Sequence, residues 1–173
     1  MMKNLALWLC VAALSVSFAS CEKKSSETKL DPQLEKQLSS LKTAEQEGAE
    51  FVAAQMKADP ALKKTKSGLV YKIENPGEGN LFKASDVVKV VYTGKHISGE
   101  VFDSSNGNAV DFPLQGVVPG FREMITMMRP GAKAYCIIPG HLAYGPQGNP
   151  KIAPNETLIF ELETQGLAEW DNA

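Results

Sequence analysis

The apolar and polar residues divide the chain into four zones. An apolar run covers residues 5–19, and a polar, charged stretch follows it up to residue 30. Residues 31–58 then carry apolar side chains at helical spacing. From residue 66 onward, short apolar segments alternate with Gly, Pro, Asn and Asp, which is the pattern of strands separated by turns. The pattern therefore predicts a helical part followed by a strand-rich domain.

The helical zone has a start signal and a stop signal. Asp31 is predicted to cap the helix with Pro32 at its first position, and Asp59-Pro60 is predicted to end it. Its apolar stripe consists of two sets, Leu34, Leu38 and Leu41 before Gly48, and Phe51, Val52 and Met56 after it. The stripe is too short for a convincing coiled coil. Packing on the chain's own domain and pairing with a second copy both remain open.

The strand-rich zone predicts an α+β fold. One helix is expected from Phe121 to Met128, started by Pro119-Gly120 and ended by Pro130-Gly131. Strands are expected at residues 69–73, 87–92, 101–103, 110–114, 134–138 and 157–162. We expect an antiparallel sheet of five to six strands wrapped around this one short helix.

The first residues have the features of an export signal. A lysine precedes the apolar run, and that run is too short for a spanning helix, which needs about 20 apolar residues. Phe18-Ala19-Ser20-Cys21 resembles a bacterial lipobox, which implies that Cys21 becomes the acylated first residue of the mature protein. The alternative is an ordinary signal peptide in which Cys21 is coincidental. With Cys21 lipidated, Cys136 has no partner and is interpreted as a buried apolar residue.

Composition excludes several function classes. The 173-residue chain has a formal net charge of −2 and a pI near 5.7, so it offers no basic field for nucleic acid. It has only two histidines and no Cys/His cluster, so no metal site is expected. Phosphate-binding loops and nucleophile elbows are also absent, and no cofactor is expected. The length allows one ordinary domain with an extension.

Ordered motifs resemble FKBP-type peptidyl-prolyl cis-trans isomerases. The matching blocks, in chain order, are Val90-Val91-Tyr92-Thr93-Gly94, Gly99-Glu100-Val101-Phe102-Asp103-Ser104-Ser105, Gly116-Val117-Val118-Pro119-Gly120-Phe121, Met128-Arg129-Pro130-Gly131, Leu142-Ala143-Tyr144-Gly145 and Pro154-Asn155-Glu156-Thr157-Leu158-Ile159-Phe160. The lead-in at residues 67–73 is similar to exported FKBPs of Gram-negative bacteria, such as the macrophage infectivity potentiator group. Together with the polar stretch and the helical spacing, these resemblances give the domain boundaries 1–20 (lipoprotein signal), 21–30 (tether), 31–63 (helical extension), 64–167 (isomerase domain) and 168–173 (tail).

The resemblance implies a site without a nucleophile. Asp103 is expected beside the twisting amide, oriented by the hydroxyl of Tyr92, while the hydroxyl of Tyr144 and the N–H of Val118 hold substrate carbonyls. The remaining substrate-binding residues implied are Phe102, Val117, Ile152 and Phe160 as walls or cover, and Phe121 as the floor. Taken singly, each aromatic residue is interpreted as a core residue and Asp103 as a turn residue. Their occurrence together, in the order of the family motifs, favours a substrate-binding site.

Three departures from the family pattern affect the expected strength of binding. Phe121 replaces the usual floor Trp, Val110 stands where many members have an aromatic residue, and no Arg lies between Asp103 and Phe112. We therefore expect altered rate and substrate preference rather than an altered fold.

The expected function is assistance in folding exported proteins. The partners expected are proline-containing exported polypeptides and, through Cys21, a membrane; a homodimer through residues 31–58 is a further expectation. The expected location is the Gram-negative cell envelope, at the outer membrane facing the periplasm or the cell surface. One alternative is a low-turnover module that binds proline segments as a holdase. The other is an interaction platform whose main features are the lipid tether and the helix.

Overall fold

The structure is a computed structural model that describes the backbone of residues 32–168 and the side chains of residues 43–168. The predicted signal peptide, the tether with Cys21, the cap Asp31 and most of the predicted tail lie outside the described residues. Helix α1 runs from Pro32–Ala58 as one element, so the two apolar sets share one continuous helix. It ends before Asp59, where a final backbone hydrogen bond joins the N–H of Asp59 to the carbonyl of Gln55.

Seven strands form one antiparallel sheet in the described part of the chain. The strands are β1 (Lys63–Lys64), β2 (Val70–Asn75), β3 (Val87–His96), β4 (Val101–Ser104), β5 (Val110–Pro113), β6 (Lys133–Ile138) and β7 (Leu158–Leu167). The order is β1-β2-β6-β7-β3-β4, and β5 pairs with β3 beside β4. All six predicted strands are confirmed, and the seventh is the two-residue β1.

The two longest strands, β3 and β7, organise the sheet. They pair over their whole length, from Val88 opposite Leu167 to His96 opposite Leu158. Strand β6 pairs with the other side of β7, from Lys133 to Ile138. Because β4 and β5 pair with successive parts of β3, the chain between them passes beside Tyr92, where the N–H of Ser105 donates to the Tyr92 carbonyl.

Helix α2 (Pro119–Thr126) packs against one face of the sheet. Pro119 occupies its first position, as the sequence predicts. Phe121, Met124 and Ile125 are buried from this helix and join sheet residues such as Val88, Val90 and Leu158 in the main core. The predicted α+β fold, with a sheet around one short helix and a helical extension before it, is confirmed.

The second half of α1 packs on the sheet. Phe51, Val52 and Met56 contact a small buried cluster formed by Leu62, Val70 and Ile137. None of the helices in the described part of the chain is long and apolar enough to cross a membrane.

Candidate active site

An apolar cavity of about 230 Å³ opens between the β3–β4 hairpin and α2. We call it the aromatic cavity. Its lining residues are Tyr92, Phe102, Asp103, Phe112, Gly116, Val117, Val118, Phe121, Tyr144 and Phe160. Most of these residues are hydrophobic, and Asp103 is the one carboxylate among them. Concave apolar sites with few polar groups are typical of small-ligand binding.

Gly94 explains how the ring of Phe102 reaches the cavity. It is a buried position of β3, opposite Asp103 on β4 and Phe160 on β7. A Cβ on Gly94 would lie 2.6 Å from the Phe102 ring and 3.0 Å from the Phe160 ring. The missing side chain therefore lets these two rings pack over the strand in a T-shaped contact, 5.7 Å between centroids.

Phe121 is the centre of the aromatic cluster. Its ring lies 5.3 Å from that of Phe112, 5.6 Å from that of Phe160 and 6.5 Å from that of Tyr92, all between centroids. The side chain is only 4% exposed. Tilted and edge-on arrangements of this kind are the favourable geometries for aromatic pairs. Phe121 is thus fixed at the base of the cavity from three sides.

The carboxylate of Asp103 is oriented at both oxygens. The hydroxyl of Tyr92 donates to Oδ2 at 2.9 Å, and the backbone N–H of Ser104 donates to Oδ1 at 2.9 Å. Asp103 itself is exposed, at the rim of the cavity. The arrangement holds one negative charge in a defined place beside an apolar surface.

Two tyrosine hydroxyls remain protonated in the neutral pH range. Burial, followed by the hydrogen bond and the negative charge of Asp103, raises the pKa of Tyr92 to about 12. Burial and then the charge of Asp103 also raise the pKa of Tyr144. The Tyr92 hydroxyl therefore keeps the proton that it donates to Asp103, and the Tyr144 hydroxyl is available as a hydrogen-bond donor at the cavity.

Val118 brings a backbone donor to the site. It is the N-cap residue of α2 and has an extended conformation. The first N–H groups of a helix have no intrahelical acceptor. Since Val118 also lines the cavity, its N–H is a candidate donor at the site.

The structure brings eight of the nine predicted pocket residues to the aromatic cavity. Ile152 is the exception, because its side chain is 3% exposed and belongs to the main core instead of the lining. Sequence reasoning missed Phe112 and Gly116. The signal for Phe112 is its two-residue spacing from Val110, where many family members have an aromatic residue. Side chains two residues apart on a strand point to the same face.

A larger cavity of about 520 Å³ lies between α1 and the loops beside β6 and β7. It lacks the aromatic lining of the first cavity, and many of its walls come from small residues such as Gly48, Ala49 and Ala53. Within the described residues, no group of three or more His, Cys, Asp or Glu side chains could hold a metal ion.

A family model described as FKBP-type peptidyl-prolyl cis-trans isomerase matches residues 79–165, which is half of the 173-residue chain and includes every residue that lines the aromatic cavity. The chain belongs to the FKBP-type peptidyl-prolyl cis-trans isomerase family. This confirms the resemblance that the ordered motifs indicated.

Individual FKBP-type proteins show the same similarity. A probable FKBP-type peptidyl-prolyl cis-trans isomerase of Haemophilus influenzae is 45% identical over 125 residues, 70% of this chain and 52% of that protein. The crystal structure of FkpA from Escherichia coli aligns with a TM-score of 0.73 and 36% identity, over 78% of this chain and 63% of that one. The crystal structure of a peptidyl-prolyl cis-trans isomerase from Pseudomonas syringae aligns with a TM-score of 0.68 and 30% identity, over 74% of this chain and 96% of that one. The chain spans about half the length of the curated relatives it matches.

Proposed function

We propose that this chain is a peptidyl-prolyl cis-trans isomerase and that the aromatic cavity is its catalytic site. The observation that carries the proposal is the oriented carboxylate of Asp103 at the rim of an otherwise apolar cavity. Membership of an isomerase family supports the same reaction. This site needs no metal or nucleophile, because no covalent bond is made or broken.

The reaction is rotation about an X–Pro peptide bond. The barrier is about 18–20 kcal/mol, and uncatalysed exchange takes roughly tens to hundreds of seconds. In the twisted transition state the amide loses resonance, so its carbonyl oxygen carries less negative charge. An apolar cavity therefore binds the twisted amide better than the planar one. Each 1.4 kcal/mol of such preference gives about a tenfold rate increase.

We assign the proline ring to the space above Phe121, between Tyr92, Phe102 and Phe160. The edge-on rings around Phe121 offer a rigid apolar surface for a five-membered ring. The N–H of Val118 and the hydroxyl of Tyr144 would hold substrate carbonyls on either side. Fixing the chain at these points leaves rotation about the X–Pro bond as the motion that is free.

Asp103 has an electrostatic role in this proposal. A carboxylate near the X–Pro carbonyl repels the partial negative charge of the planar amide more than that of the twisted amide. The difference lowers the barrier, since only interactions that change between ground state and transition state accelerate the step. The hydrogen bonds from Tyr92 and Ser104 keep the carboxylate in place.

The test is cis-to-trans exchange of a short X–Pro peptide with the chain from residue 22 onward. We expect roughly hundredfold acceleration or more at micromolar protein. Asp103→Ala should lower turnover about tenfold or more while peptide affinity changes little, and Tyr144→Phe should lower both. Asp111→Asn, an exposed carboxylate outside the cavity, is the matched control and should leave the rate unchanged.

Absence of acceleration by a folded, monodisperse sample would contradict the enzyme. Tight binding of the same peptide without acceleration would instead support the alternative of a holdase, a module that grips proline segments with little turnover. Asp103→Ala separates the two through turnover, which should fall in an enzyme and has little room to fall in a holdase, while peptide affinity should change little in either case.

We further propose that the chain is exported and anchored by lipid at Cys21, in the Gram-negative envelope, with proline-containing exported proteins as substrates. The support is the sequence of residues 1–30, which lies outside the described residues, and the bacterial origin of the relatives. Palmitate labelling of the full chain tests the anchor. Cys21→Ser should abolish the label and release the protein from the membrane fraction.

We also propose that two copies pair through the part of residues 31–58 that precedes Gly48. The part that follows Gly48 is engaged with the chain's own sheet through Phe51, Val52 and Met56. Sedimentation equilibrium should then give a dimer for residues 22–173 and a monomer for residues 48–173. A monomer in both cases would contradict the pairing.

A further inference from the structure

His96 and Glu156 form a close pair behind one wall of the aromatic cavity. His96 is the last residue of β3, and Glu156 lies two residues before β7. Nδ1 of His96 and Oε1 of Glu156 are 2.5 Å apart, and the side chains are 20% and 16% exposed. Neither residue lines the aromatic cavity. The pair is partly shielded from water, so its hydrogen bond is stronger than that of an exposed pair.

On the side of β3, the pair supports Phe102. The His96 ring lies 5.3 Å from the Phe102 ring between centroids, on a tilted approach. Phe102 in turn packs edge-on against Phe160 inside the cavity. His96 therefore backs a wall residue that the proposed function assigns to substrate binding.

On the other side, the pair closes the loop of residues 145–156. Oε2 of Glu156 accepts the backbone N–H of Ala153 at 2.8 Å, so both oxygens of the carboxylate are engaged. The N–H of Asn155 donates to the carbonyl of Gly145 at 2.8 Å and closes the neck of the loop. Gly145 follows Tyr144 directly. Glu156 thus links the loop that follows Tyr144 to the histidine that packs on Phe102.

A second contact joins the same two parts. Nζ of Lys151, in the middle of the loop, donates to the backbone carbonyl of Phe102 at 3.3 Å. The ring and the main chain of Phe102 are therefore both connected to the loop, through different residues.

We propose that His96 and Glu156 are positioning residues that hold Phe102 and the 145–156 loop in the arrangement that binds the X–Pro segment. The inference rests on the proposed function for the identity of the ligand. A wall that is ordered before binding loses less conformational freedom when the ligand arrives. Since Asp103 is untouched, the pair should act on KM and on peptide affinity, with little effect on kcat.

The experiment compares Glu156→Ala with Glu156→Gln and with a matched control. Glu156→Ala should raise KM and the dissociation constant of a prolyl peptide by roughly three- to tenfold, the usual net effect of losing one hydrogen bond. Glu156→Gln should restore most of the affinity, because its amide can donate to His96 and accept from Ala153. Glu161→Ala breaks the neighbouring Lys95–Glu161 pair between β3 and β7 and should change neither quantity.

His96→Phe tests the two functions of the histidine separately. It keeps an aromatic ring beside Phe102 but removes the hydrogen bond to Glu156. Combined with Glu156→Ala it should cost no more affinity than Glu156→Ala alone, because Glu156→Ala already removes the hydrogen bond that His96→Phe removes. Amide exchange of residues 145–156 should be faster in both single variants.

The two proposals fail in different measurements. The isomerase fails if the wild type does not accelerate exchange, and the pair is judged from the peptide's dissociation constant, which needs no turnover. An unchanged dissociation constant in Glu156→Ala would overturn the positioning role. A fall in kcat as large as the rise in KM, together with a large fall in Tm, would also overturn it, because these effects indicate that the pair only stabilises the fold.

Discussion

The hydroxyl of Tyr92 and the carboxylate of Asp103 are joined by a 2.9 Å hydrogen bond across the β3–β4 hairpin. Tyr92 is itself anchored by Ser105, whose N–H donates to the Tyr92 carbonyl at 3.0 Å and whose Oγ accepts the Tyr92 N–H at 3.1 Å. Ser105 therefore holds the backbone of Tyr92, and the hydroxyl of Tyr92 in turn orients the carboxylate of Asp103. The strand pairing and the charge at the cavity belong to one hydrogen-bonded unit.

The raised pKa of Tyr92, caused first by burial and then by this hydrogen bond, predicts a dependence of stability on alkaline pH. The pKa of Tyr92 is about 12 in the folded protein, against about 10 in an unfolded chain. Between these values the unfolded state releases a proton that the folded state keeps, so the free energy of unfolding falls as pH rises from about 10 to about 12. Tyr92→Phe removes this contribution. Urea unfolding at pH 9, 10, 11 and 12 should show a shallower loss for the variant, whose other tyrosines are unchanged. Parallel curves for both proteins would contradict the prediction.

Phe121 predicts a coupling between stability and binding. Because three rings contact it and it is 4% exposed, Phe121→Ala should lower the free energy of unfolding by about 3–5 kcal/mol. Phe121→Leu fills more of the space and should cost less. If Phe121 is the floor, Phe121→Leu should weaken prolyl-peptide binding in a sample that is still fully folded. Urea unfolding and peptide titration measure the two effects, and unchanged peptide affinity would argue against the floor assignment.

Local patterns predicted most of the fold. The start of α2 at Pro119 and the end of α1 before Asp59-Pro60 follow from residues whose backbone preferences are strong and local. Strand β3 was predicted from its run of valines, although it extends four residues further, to His96. That extension depends on pairing with β7, which a local pattern does not contain.

The site was predicted less completely where it depends on long-range folding. Ile152 lies on a loop that closes through the Asn149–Ile152 bridge, and this closure turns its side chain into the core. Phe112 reaches the cavity because β5 pairs with β3 at Val88. The His96–Glu156 pair joins residues 60 positions apart. The residue spacing within one helix or strand does not predict these contacts, because each depends on how different segments pair in the folded chain.

Cys136 predicts a thiol that is inert in the folded protein. It is fully buried, and burial raises the pKa of its thiol far above the ordinary range. Since only the thiolate reacts, labelling must await an opening of the structure. In the chain from residue 22 onward, where it is the one cysteine, labelling at pH 8 should be at least about a hundredfold slower than in urea. Stoichiometric labelling of the native sample within the mixing time would contradict the burial of Cys136.

Gly48 predicts that tertiary contact overrides helix propensity in α1. In an isolated helix, Gly→Ala is stabilising by about 1 kcal/mol. Here a Cβ on Gly48 would lie 2.0 Å from Oγ1 and 2.8 Å from Cβ of Thr157, just before β7, so the helix and Thr157 must move apart. Gly48→Ala should therefore lower the free energy of unfolding. Ala54→Gly, at an exposed position of the same helix, should lower it by about 1 kcal/mol through propensity alone. The two opposite substitutions should thus both lower the free energy of unfolding measured in urea. A gain in stability from Gly48→Ala would mean that α1 does not pack against Thr157 in solution.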